Sequence, residues 1–248
     1  MIVQACLNGA RSAAYHPALP LTQEAMAADA AACVAAGAAE LHLHPRGSDG
    51  RESLAPAAVD ATVLAVRRAC PGTLIGVSTG AWIEGDEDRT LACIEGWREL
   101  PDYASVNLAE PGALAVMERL WRCSVGVEAG LASVADAERL IAWGMGGRAL
   151  RVMVEVEEQD EGEALAVAEE IEAVLTRAGL RRPMLLHGLD AGVWRFVARA
   201  AEQRFSTRVG LEDGDTLPDG TTAPSNAALV AVAVGLLTRS PRGPLAAS

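Results

Sequence analysis

Residues 39–50 read AELHLHPRGSDG. Leu41 and Leu43 alternate with His42 and His44, and a loop of Pro, Gly, Ser and Asp follows at once. Alternation with period two marks a strand with two unlike faces, and the loop composition marks its end. Upstream, LTQEAMAADAAACVAAG (21–37) reads as a helix, with Thr22 as N-cap, Glu24 in the first turn and Gly37 as the stop. Downstream, a second helix follows Pro56 and ends before Pro71. The strand therefore lies between two helices, and this unit sets the reading of everything outside it.

The same rhythm runs along the whole chain. Strands are predicted at IVQACL (2–7), AELHLH (39–44), TLIGVS (73–78), YASVNL (103–108), CSVGVE (123–128), ALRVMVEV (149–156), PMLLHG (183–188) and TRVGLE (207–212). The remaining helices are predicted over DEDRTLACIEGWREL (86–100), from Pro111, from Ser133 to Gly144, over EGEALAVAEEIEAVLTRAG (161–179), up to Gln203, and from Pro224. Eight strands alternating with eight helices through short connections predict one α/β domain over residues 1–248, a (β/α)8 TIM barrel. An open doubly wound sheet is the alternative, and eight units in 248 residues fit closure better. GMGGRA (144–149) lies between a helix and a strand, not after a strand, so it does not read as a phosphate loop.

Bulk composition narrows the function classes. Half of the residues are hydrophobic and only 4% aromatic, which suits a large core of helices packed on parallel strands. A formal net charge of −12 argues against nucleic acid and anionic membrane as partners. Cys6 and Cys123 fall in predicted strands, and Cys33, Cys70 and Cys93 in or beside predicted helices. Their spacing pairs none of them, so they are expected as buried thiols in a reducing cytoplasm. The opening MIVQACLNGA does not read as a signal peptide. NAALVAVAVGLLTRS (226–240), the longest apolar run, falls short of the roughly 18 residues of a membrane span and reads as a buried helix.

A barrel of this kind places its active site at the C-terminal ends of its strands. The residues expected there are Asn8; His42 and His44; Ser78 and Thr79; Ser105 and Asn107; Glu128; Glu155; His187; and Arg208, Glu212 and Asp213. With both leucines turned to the helices, His42 and His44 face inward, their Cα atoms about 6.5 Å apart. Two imidazoles at that separation can converge on one ion. In TRVGLE, alternation puts Arg208, Gly210 and Glu212 on one face, and strand eight flanks strand one as strand two does. Glu212 can therefore meet the histidine pair across the mouth. Two histidines and a carboxylate with an open position make a catalytic zinc set, although such a set also takes cobalt, iron or manganese. On the residues alone, a pair of satisfied core histidines and an acidic surface turn at LEDGDTLPDG (211–220) remain the alternatives. His187 stands as either a fourth ligand or a polar wall, and His16 falls in a loop.

Four stretches, taken together, resemble the β-keto acid cleavage enzymes, the family typified by 3-keto-5-aminohexanoate cleavage enzyme. They are HPALPLTQEAMAADAAACVAAGAAELHLHPRGSDGR (16–51), IGVSTGAW (75–82), YASVNLAE (103–110) and RVGLEDGDTLPDGTTAPSNAALV (208–230). The resemblance implies a zinc-bearing barrel, assembled as a homotetramer, with His42, His44 and Glu212 as metal ligands. It implies a reaction in which a β-keto acid and acetyl-CoA give acetoacetate and a new acyl-CoA. By the same resemblance Asp213 is the base for the α-proton and Arg208 orients it or keeps it ionised. Ser78, with the backbone N–H of Thr79, would bind the substrate carboxylate, and Asn107 would line the site.

The chain also departs from that pattern. The loop after strand one, NGARSAAYHP (8–17), offers Arg11 and Ser12 where the family carries an acidic residue for a substrate amine. Arg11, with Asn8 and Glu128 as further substrate-binding candidates, implies an uncharged or anionic substrate tail. After strand six, VEVEEQDEGEA (154–164) is acidic where the family has a glycine-rich loop on its cofactor side. That loop keeps a CoA-independent zinc aldolase or hydrolase as the second reading. A catalytically silent, metal-stabilised binder of small acids is the third, and the presence of Arg208, Asp213 and Ser78 argues against it.

Overall fold

A computed structural model describes residues 1–239. Eight parallel strands form one sheet in the order β7-β6-β5-β4-β3-β2-β1-β8. They are β1 (Val3–Cys6), β2 (Glu40–Leu43), β3 (Leu74–Ser78), β4 (Tyr103–Asn107), β5 (Gly126–Leu131), β6 (Arg151–Val156), β7 (Met184–Gly188) and β8 (Thr207–Val209). The two ends of this order meet: Leu186 N–H donates to the Ser206 carbonyl (2.9 Å), and Thr207 Oγ1 donates to the Leu186 carbonyl (2.8 Å). The predicted TIM barrel is the observed architecture, with β2 and β8 flanking β1.

Local chemistry sets the helix starts. Helix α1 (Gln23–Ala35) is capped by Thr22, whose hydroxyl accepts from Ala25 N–H. Helix α2 (Pro56–Ala69) begins on Pro56, where the missing N–H costs nothing. A single turn, α3 (Ala81–Glu84), precedes α4 (Glu87–Gly96), so this crossover holds one helical turn more than the sequence reading. Then come α5 (Ala113–Arg122), α6 (Val134–Ala142), α7 (Glu161–Arg177), α8 (Val193–Gln203) and α9 (Asn226–Arg239). Ser133 caps α6 and Asp160 caps α7. GMGGRA carries only a 3-10 turn (Gly146–Arg148) before β6. None of the helices described is long and apolar enough to cross a membrane.

Two strands, β5 and β8, differ from expectation by three residues, and both differences bear on the candidate site. Residue 123 closes α5 rather than opening β5, and Ser124 turns the chain in the left-handed region (φ 62°). Strand β5 therefore starts at Gly126 and runs on to Leu131. Strand β8 stops at Val209, and Glu212 sits in the turn beyond it. That turn presses on β1 so closely that a Cβ on Gly210 would overlap the Cys6 carbonyl. Glycine is required there for backbone approach.

The barrel floor is polar and sealed. Tyr103 Oη accepts from Gln4 Nε2 (2.8 Å) and donates to the Leu41 carbonyl (2.9 Å). Its ring occupies the space that a side chain on Gly76 would need. Arg151 pairs with Glu128 (2.7 Å) and with Glu40, and its guanidinium lies 4.8 Å from the Tyr103 ring centroid.

Candidate metal centre

Strand β2 delivers both histidines to the mouth of the barrel. Leu41 and Leu43 are buried against the helices, so His42 and His44 turn inward. Their Nε2 atoms lie 3.2 Å apart. Oε1 of Glu212 completes a triangle, 3.6 Å from His42 Nε2 and 3.4 Å from His44 Nε2. A tetrahedral ion with bonds of about 2.0–2.1 Å sets its ligand atoms about 3.3–3.4 Å apart. The three edges match that spacing. Buried His42 Nδ1 and Glu212 Oε2 have no hydrogen-bond partner. Among the described residues, these three form the group of His, Cys, Asp and Glu side chains that could hold a metal. Two imidazoles and a carboxylate suit zinc or another divalent transition metal.

Electrostatics at the triangle favour a cation. Burial pushes His42 down to about 3. Burial also opposes charge on His44, but Glu212 and Glu52 outweigh it and raise the ring to about 9. Glu52 was not singled out by the sequence reading. Its Oε1 lies 2.5 Å from His44 Nδ1, and its Oε2 accepts from Trp82 Nε1 (3.1 Å). It belongs to a short hairpin in which Arg46 bridges Glu52, an irregular pairing with no periodic signal in the sequence.

Arg208 and Asp213 stand directly behind the triangle. Arg208 Nη2 donates to Asp213 Oδ1 (2.6 Å) and to Glu212 Oε1 (2.5 Å), and its Nε lies 3.2 Å from Asp213 Oδ1. Burial, the largest influence, holds Asp213 above the ordinary carboxylate range, and Arg208 pulls it partly back. His187 lies between two carboxylates, with Nε2 3.1 Å from Glu155 Oε2 and Nδ1 3.8 Å from Asp213 Oδ1. Neither ring nitrogen makes a directed hydrogen bond, and His187 is outside the metal-binding group. It is therefore part of the polar wall. His16 is a tie between loops: Nε2 meets the Ala223 carbonyl (2.9 Å), and Nδ1 accepts from Ala18 N–H.

The other expected site residues divide into two groups. Ser78 is buried at the end of β3, and its Oγ accepts only a long bond from Gly80 N–H (3.3 Å), so its proton is free to donate. Thr79 spends its hydroxyl on the Ser105 carbonyl (2.6 Å). Asn107 donates to Glu110 (3.0 Å) at the edge of a cavity of about 260 Å³. Trp82, Gly130, Glu155 and Glu157 also line that cavity. Arg11 reaches the rim, donating to the Glu212 carbonyl (3.2 Å) and pairing with Asp190 (2.9 Å).

Two candidates are tied up in hydrogen-bonded networks, and one of them, Glu128, lies away from its expected strand end. Asn8 clamps β1 to β2: its Nδ2 donates to the His44 carbonyl (2.9 Å), and its Oδ1 accepts from His44 N–H (3.0 Å). Both ends of its amide are engaged, so it ties the loop after β1 to the backbone at His44. Glu128 is mid-strand because β5 begins three residues later than the sequence reading. It is fully buried in the floor network with Gln4 and Arg151, away from the strand ends.

Comparison with known proteins gives three findings. A family model described as beta-keto acid cleavage enzyme matches residues 1–140 and 160–248. The break between the two segments, residues 141–159, contains β6 and the first acidic residues after it, Glu157 and Glu158. Two curated relatives carry the name 3-keto-5-aminohexanoate cleavage enzyme. The one from Fusobacterium nucleatum is 36% identical over 81 residues, 32% of this chain and 30% of that protein. The one from Acetoanaerobium sticklandii is 34% identical over 91 residues, 36% of this chain and 33% of that protein. The chain thus matches about a third of the length of these relatives. Among solved structures, apo ObcA superposes with a TM-score of 0.72 at 18% identity, covering 90% of this chain and 62% of that one. A binary complex of ObcA with oxaloacetate gives 0.73 at 19%, covering 90% and 64%. At those identities the likeness is one of fold.

Proposed function

Because the chain belongs to the beta-keto acid cleavage enzyme family, we propose that it cleaves a small β-keto acid with acetyl-CoA, yielding acetoacetate and an acyl-CoA. The observation that carries this reading is the triangle of His42, His44 and Glu212 with the Arg208–Asp213 pair directly behind it. Zinc, or a similar divalent ion, held by the three ligands would supply Lewis acidity for the substrate's keto oxygen.

The chain's own residues supply the rest. Ser78 Oγ donates to the substrate carboxylate and fixes the α-carbon toward Asp213. Asp213 removes the α-proton, and its raised proton affinity suits that task. Arg208 orients Asp213 and, through Nη2, sets Glu212 at the same time. The α-carbanion attacks the thioester carbonyl, and CoA thiolate leaves. The thiolate attacks the original keto carbonyl, the carbon–carbon bond breaks, and the α-carbon recovers the proton from Asp213. Thr79, Asn107 and Arg11 shape the substrate side of the mouth. A homotetramer in the reducing cytoplasm completes the proposal.

A second reading, a CoA-independent metal aldolase or hydrolase, is favoured by one observation. The rim after β6 presents Glu157, Glu158, Asp160, Glu161 and Glu163, an unfavourable neighbour for CoA phosphates. The test is a panel of β-keto acids incubated with and without acetyl-CoA, with acetoacetate and acyl-CoA quantified. Acyl-CoA formation strictly dependent on acetyl-CoA supports the first reading. Substrate cleavage without CoA ester formation replaces it with the second.

A further inference from the structure

We infer that Glu52 is the positioning residue for the metal ligand His44, a role that rests on the metal reading above. His44 can present Nε2 to a cation only if its proton sits on Nδ1 and its ring is held at one angle. Glu52 meets both conditions. Its Oε1 lies 2.5 Å from His44 Nδ1 and accepts that proton, leaving the Nε2 lone pair directed at His42 Nε2 and Glu212. A carboxylate behind a ligating imidazole fixes the tautomer and makes the ring a stronger donor.

Glu52 is itself held in place from two sides. Its second oxygen accepts from the Trp82 indole (3.1 Å), so the carboxylate cannot rotate away from His44 without losing that bond. The hairpin carrying it is closed by Gly47 N–H to the Arg51 carbonyl (2.8 Å) and Ser53 N–H to the Pro45 carbonyl (2.9 Å). That hairpin starts at the residue after His44, so one short segment carries both the ligand and its support. His42 has no such partner, since its Nδ1 is buried and unpaired. Of the two imidazoles, His44 is the one whose orientation is built in.

The test is titration of metal-free protein with Co²⁺ alone against a competing chelator, read by affinity and by the visible absorption of the bound ion. Glu52→Ala is expected to weaken Co²⁺ binding 10–100-fold and to alter the absorption envelope. Glu52→Gln, whose amide oxygen still accepts from Nδ1–H, is expected to fall between Glu52→Ala and wild type and to restore the wild-type envelope. The melting temperature of each metal-free variant separates this effect from a general loss of structure. Wild-type Co²⁺ affinity in a folded Glu52→Ala variant overturns the inference while leaving the metal centre standing. Failure of the wild-type protein to bind Co²⁺ overturns the metal centre and the inference together.

Discussion

Replacing Asp213 with Asn tests the arrangement behind the metal triangle, because it removes one charge and almost no volume. Asp213 is fully buried and accepts from Arg208 through Nη2 and Nε. Removing one partner of a buried ion pair commonly costs about 3–5 kcal/mol. Here Arg208 keeps Glu212 at 2.5 Å, and the Asn carbonyl can still accept one bond, so the cost falls at the lower end, about 3 kcal/mol. For a chain of this size that corresponds to a fall in melting temperature of roughly 6–12 °C. The catalytic effect is larger: loss of a positioned base removes a factor on the order of 10²–10⁴ in turnover. Glu212 and both histidines are untouched, so metal content stays at the wild-type level. The assay pairs acetoacetate formation with elemental analysis of the same preparation. Turnover within tenfold of wild type, with metal bound, would refute Asp213 as the base.

Four further perturbations test other parts of the structure. A chelator should lower the melting temperature of the metal-loaded protein by roughly 5–10 °C when the metal had been present at about a hundredfold its Kd, the equivalent of about 2.7 kcal/mol. His42→Ala should abolish that shift in a thermal melt, because the triangle loses a vertex. Burial raises Asp29 to about 6 despite the bond from Asn226, so its ionisation is disfavoured in the fold. The stability linked to this proton is full below the ordinary carboxylate range near 4 and is lost as pH rises through about 6. Asp29→Asn should therefore gain on wild type between pH 4 and pH 8, by on the order of 2 kcal/mol, and a constant gap across that range would remove the explanation. Gly210→Ala should cost about 3 kcal/mol or more in chemical denaturation, since its Cβ meets the Cys6 backbone and β1 and β8 must part.

The barrel and the convergence of His42, His44 and Glu212 were legible from sequence for one reason: both rest on periodicity. Two leucines alternating with two histidines fix the facing of β2, and the eightfold βα order places β8 beside β1. Even so, Glu212 reaches the histidines from a turn, because Gly210 bends the chain across Cys6 before an extended strand could continue. What was not legible depends on boundaries and on irregular backbone. Glu128 looked like a strand-end acid until the left-handed turn at Ser124 moved β5 by three residues and placed it in the floor. Asn8 does sit past a strand end, but the bonds of its side-chain amide to the His44 backbone carry no sequence signal. Glu52 left no trace at all, since a carboxylate in the irregular connection between β2 and α2 carries no period that would set it behind an imidazole. His187 was correctly placed at a strand end, and only the structure shows that it lies between Glu155 and Asp213.

Asn226, at the start of α9, couples three separate segments of the fold. Its Oδ1 accepts from Leu211 N–H (2.7 Å), while its Nδ2 donates to the Leu7 carbonyl (2.8 Å) and to Asp29 (2.7 Å). This one amide latches the turn carrying Glu212 to β1 and α1, across 219 positions of chain. Loosening α9 would therefore loosen the turn that positions Glu212 as well.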